Sequence, residues 1–216
     1  MTISKRIYWL SLFSIAMGFL ETAVVIYLRK IYYPQGFDFP LVPIEPAIAL
    51  VEIFREAATI VMLSGIGILT GRNASGKFAC FLYSFAIWDI FYYVFLKLFL
   101  DWPASLNTWD ILFLIPVPWV GPVIAPCIVA LTMILFSSLI LHSKGASIKR
   151  FEWIFFILGS LVTIASFVLP YFHYLQEQHV SAWTPGSSAE LFNEIRQFVP
   201  SYYNWWYLYW ENQFYL

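Results

Sequence analysis

The chain is expected to be an all-α, polytopic membrane bundle of about five transmembrane helices, and three features of the sequence say so. Of its 216 residues 61% are hydrophobic and only 12% charged, about half the charge density of a soluble domain. Its mean hydropathy is +0.72. Its apolar residues gather into runs of the roughly 20 residues a helix needs to cross the hydrocarbon. So little charge cannot coat a soluble particle of 25.1 kDa; lipid must be the solvent for most of the surface. The formal net charge of -1 leaves no basic footprint for nucleic acid.

The first run covers about 7–28 and follows Lys5 and Arg6. It is too long for the apolar core of a signal peptide and reads as a retained helix. The second, about 46–69, opens on Pro46, whose missing N–H costs nothing in a first turn, and closes at Gly71. The third, fourth and fifth cover about 77–100, 122–141 and 152–175. Between the third and fourth, 110–121 is apolar but short and broken by Pro116 and Pro118. That combination predicts a re-entrant or interfacial segment capping the bundle. The chain reads as a single domain over 1–216. Its end, 176–216, is too polar to span; 201–216 holds nine aromatics in sixteen residues, the composition of an interfacial tail.

Basic residues orient the bundle. With the N-terminus inside, Lys5, Arg6, Arg72, Lys77, Lys144, Lys149 and Arg150 lie on the inner side, and Arg29, Lys30, Lys97 and Arg196 on the outer. Seven against four favours a multi-pass cell-membrane protein with a cytoplasmic N-terminus and an external C-terminus. Cys80 and Cys127 then fall toward opposite membrane faces, too far apart for a disulfide.

Ionisable groups at membrane depth cost about 2.5–3.5 kcal/mol each on insertion scales, so those present mark the candidate site. They are Glu21 in the first helix, Glu52, Arg55 and Glu56 in the second and Asp89 in the third, with His173 near the end of the fifth. At 100° per residue Glu45, Glu52, Arg55, Glu56 and Thr59 share one stripe, opposite Val51, Phe54, Ala58 and Val61. Ser14, Gly18 and Glu21 form a second stripe; Asp89, Tyr92, Tyr93 and Lys97 a third; Gly159, Thr163, Ser166, Pro170 and His173 a fourth. Alternating helix directions bring the carboxylates together in the outer half of the bundle. Four carboxylates against Arg55 cannot all stay ionised when buried together. The cluster must hold protons, a cation or water.

The leading expectation is therefore a proton- or small-cation-binding membrane protein, acting as a small transporter or a subunit of a larger membrane complex. Glu52 and Glu56 are the main sites, Arg55 organises the charge, and Glu21, Asp89, Tyr92, Tyr93 and His173 surround them. The first alternative is a membrane-embedded enzyme acting on a lipid or isoprenoid substrate, with Glu52, Glu56 and His173 as possible ligands of a divalent metal. The second is a structural membrane subunit. No other cofactor is expected: His142 and His173 fall at opposite faces, which disfavours haem. Ser166 and His173 are about 10 Å apart along one helix, too far for a nucleophile–base pair. Expected partners are membrane lipid and either other membrane subunits or further copies of the chain.

Overall fold

Apolar runs punctuated by Pro, Gly and Asn become five helices in a computed structural model that describes residues 2–39, 41–42, 44–115, 117–143, 147–177 and Pro200. They are α1 (Ile3–Tyr32), α2 (Pro46–Thr70), α3 (Ala74–Leu100), α4 (Ile124–His142) and α5 (Arg150–Glu177), with β1 (Trp109–Phe113) and β2 (Trp119–Pro122) between α3 and α4. Pro46 opens α2 as expected. Asn73 caps α3, its side chain accepting from the Gly76 N–H, so α3 starts before Lys77. The aromatic stretch 201–216, with Lys144, His179 and Arg196, lies outside the described residues.

Four of these helices, α1, α3, α4 and α5, are long and apolar enough to cross a membrane. The expected second span, α2, is not among the four; its first half carries Glu52, Arg55 and Glu56. The chain divides into two units: Met1–Ile26 with Ala58–Thr108 and Val123–Ile154, and Tyr27–Ala57 with Trp109–Pro122 and the chain from Phe155 onward.

In the first unit α1 and α3 run parallel. Ser11 hydrogen-bonds the Tyr83 hydroxyl at 2.8 Å. Further on, Gly18 packs against α3 so closely that a Cβ there would lie 2.9 Å from the Trp88 carbonyl oxygen. One turn later Thr22 Oγ1 donates to the Tyr92 carbonyl at 3.2 Å. Contacts thus advance in the same sense along both helices. Between α3 and α4 the sense is opposite: Leu141 packs with Ala79 and Cys80, whereas Val123 packs with Tyr93 and Leu96. Parallel and antiparallel neighbours in this order are what a chain crossing a membrane back and forth produces. Cys80 and Cys127 are both free thiols and belong to different core clusters.

The second unit is built on the antiparallel β1–β2 hairpin, which pairs Asp110 with Gly121 and Ile111 with Val120. The expected capping segment at 110–121 is therefore a strand pair. Pro118 cannot donate inside a helix, while Ile, Val, Phe and Trp suit a half-buried pleated surface. Pro122 ends β2 and does not open the fourth helix. Val120 packs with Leu41 and Tyr171, backed by Tyr33, Phe37, Phe39, Trp109 and Ile111. Opposite Asp110, Gly121 has no Cβ; one would lie 3.0 Å from the Phe167 ring, so glycine is what lets α5 approach the hairpin.

Candidate functional site

Helix α2 is apolar on the outside and charged on the inside. Glu52, Glu56 and Thr59 are buried, while Phe54 and Val61 on the other side are 66% and 69% exposed. Water would favour the reverse arrangement; a hydrocarbon solvent favours this one. The stripe expected from helical spacing is thus present, except that Glu45 at its end is exposed.

Three polar contacts organise the second unit. Arg55 Nε donates to Glu52 Oε2 at 2.7 Å, one turn apart on α2. Glu56 Oε2 accepts the backbone N–H of Leu114 at 2.9 Å, just beyond β1. Arg29 in the last turn of α1 donates to Asp110 Oδ1 on β1 at 3.1 Å, and its guanidinium lies 4.2 Å from the centre of the Phe37 ring. Buried polar backbone must be satisfied, and Glu56 does this for the chain leaving β1. The hairpin is therefore tied by charged side chains to both α1 and α2.

Arg29 and Asp110 were not among the expected site residues. Arg29 is 7% and Asp110 1% exposed, although the sequence puts Arg29 on the outer side and Asp110 at the start of a capping segment. The available signal was that Asp110 is the lone acid opening an apolar strand, while Arg29 ends an apolar helix. Only the pairing shows that the two meet.

Among the described residues of the second unit three carboxylates are buried, Glu52, Glu56 and Asp110. Asp110 pairs with Arg29, Glu52 with Arg55, and Glu56 accepts the Leu114 N–H.

The other expected residues are distributed differently. Glu21 and Asp89 belong to the first unit and are half-buried on α1 and α3. Glu21 neighbours Thr22, whose hydroxyl also donates to the Gly18 carbonyl at 2.7 Å. Beyond Asp89, the Tyr92 and Tyr93 rings meet edge to face, 4.9 Å apart. His173 lies in the second unit and is exposed. Among the described residues no three His, Cys, Asp or Glu side chains are grouped to hold a metal. Glu52 and Glu56, the expected ligands, instead engage Arg55 and Leu114. Ser166 donates to the Thr163 carbonyl at 2.6 Å, a helix-internal bond.

Comparison with known proteins finds no matching family model, no similar curated protein and no similar solved structure.

Proposed function

We propose that this multi-pass membrane protein takes up a proton or small cation at the α2–hairpin cluster, as a small transporter or a subunit of a larger membrane complex. The observation that supports the reading is the burial of three carboxylates, Glu52, Glu56 and Asp110, among the described residues of the second unit. In this reading Glu56 is the group that changes charge. Its oxygen can accept the Leu114 N–H whether or not the carboxyl carries a proton, so the hairpin stays tied through the cycle. Arg55 stays paired with Glu52 beside it. Glu21 and Asp89 are secondary proton-carrying groups within the first unit.

Orientation belongs to the same proposal. The described basic residues Lys5, Arg6, Arg72, Lys77, Lys149 and Arg150 lie at the α1 start, the α2–α3 turn and the α5 start of the first unit. This end would face the cytoplasm.

The test is ion flux into liposomes holding the wild-type protein or Glu56→Gln, read with a pH-sensitive dye and with sodium- and potassium-selective dyes. Wild-type flux that vanishes in a folded Glu56→Gln variant is expected. Equal flux in the two would refute the assignment. The metal-dependent enzyme reading has no grouped ligands to draw on among the described residues.

A further inference from the structure

We infer that Arg6, at the basic end of the first unit, receives the phosphate of an anionic phospholipid. Arg6 is 8% exposed, and its Nε is sealed from solvent with no hydrogen-bond partner. No ion pair to its guanidinium exists among the described residues. Arg6 is thus a largely buried cation on a long side chain of the kind that reaches a headgroup region.

Among the described residues no acceptor is hydrogen-bonded to Arg6 Nε. Arg6 lies one turn before Leu10 on the same face of α1, and Leu10 packs with Ala79, Cys80 and Leu141. That places Arg6 level with the start of α3 and the end of α4. The start of α3 is the positive end of a helix dipole. At the end of α4 the Leu139 carbonyl already accepts from Ser143, and the Ser138 carbonyl is engaged by His142. Ser75 Oγ accepts the Ile148 N–H. The acid of this end, Glu152, is exposed and accepts the Lys149 N–H at 2.6 Å. Exposed Lys5 and Lys77 add positive charge. A buried cation beside a helix N-terminus, its Nε without a partner, is completed by an anion from outside the chain.

Two features select a phosphate carried by a lipid. The guanidinium fork matches phosphate oxygens bidentately. Tyr8 and Trp9, directly following on α1, are 62% and 57% exposed and pack edge to face; such aromatics sit at headgroup level. The site is independent of the Glu56 cluster, and its test reads lipid retention and not ion flux.

The test is native mass spectrometry of the full chain from mild detergent, offered equal phosphatidylglycerol and phosphatidylcholine. The wild type is expected to retain phosphatidylglycerol preferentially. Arg6→Gln should lower that preference by about fivefold or more, the worth of one basic residue at a membrane surface, and Lys5→Gln by less than Arg6→Gln. Arg6→Lys keeps the charge but not the fork, and should fall between wild type and Arg6→Gln. Equal retention of the two lipids by the wild type would overturn the inference, whatever the variants do. So would an Arg6→Gln variant indistinguishable from wild type. Displacement of the lipid by millimolar inorganic phosphate would assign the site to a soluble anion and overturn it too.

Discussion

Arg29, in the last turn of α1, reaches Asp110 on β1 across 81 positions of sequence, and the two meet at 3.1 Å in a site that hides both. Breaking such a pair strands one buried charge and costs about 3–5 kcal/mol, whereas replacing both partners with apolar residues costs far less. Arg29→Met and Asp110→Leu should therefore each lower the thermal midpoint in detergent strongly, and the double variant should recover most of the loss. A double variant as unstable as the sum of the singles would show that each residue acts through other contacts.

Glu56 separates a structural from a chemical role. Glu56→Gln keeps an oxygen for the Leu114 N–H, now 2.9 Å from the carboxylate, so its melting point should stay near wild type. Glu56→Ala removes the acceptor of that part-buried N–H, at a cost of about 1 kcal/mol. Thermal unfolding of both variants beside the flux assay distinguishes the two. Equal melting points for Gln and Ala would mean that the Leu114 bond contributes nothing.

Close approach of α1 to α3 rests on Gly18. A Cβ there would stand 2.9 Å from the Trp88 carbonyl oxygen and 3.3 Å from Phe91 Cβ. Gly18→Val should destabilise by about 1–3 kcal/mol through overpacking. Gly65→Ala is the control, because nothing lies within 4 Å of a Cβ at that position; it should be neutral or slightly stabilising. Denaturant melts of the pair in one detergent check this, and equal losses would argue against the helix contact.

Tyr33 links stability to alkaline pH. Burial raises its phenol above the usual value, outweighing the lowering effects of the Val42 N–H and the Arg29 charge. The folded-state value therefore lies above the unfolded one. Its contribution is fully present below about pH 10, the unfolded phenol value, and is lost as pH rises through the folded value. Between about pH 9 and 12 the wild type should lose stability more steeply than Tyr33→Phe, which has no phenol to titrate. Parallel slopes would remove Tyr33 from the linkage.

Much of this arrangement was legible from residue spacing. Glu52, Arg55, Glu56 and Thr59 fall on one face because helical period alone puts them there, and burial follows since the opposite face is apolar. Helix existence followed from length and hydropathy, and Pro46 and Gly71 marked the limits of α2. The hairpin was not legible: residues 110–121 carry too few positions for periodicity to separate strand from re-entrant helix, and their prolines argue against a helix without naming a partner. Pro122 misled for the same reason, being as acceptable at a strand end as in a first helical turn. Arg29 and Asp110 looked like surface charges because each borders an apolar run, and bordering residues are normally solvated.

The sequence by itself determined the solvent, the helices and the inward stripe of charge, because these depend on composition and local period. Tertiary structure alone decided that Asp110 neutralises Arg29 and that Glu56 holds the strand exit. It also decided that α1 lies against α3 at Gly18. Those outcomes depend on which distant segments meet, and a pairing energy exists only once both partners have left the solvent together.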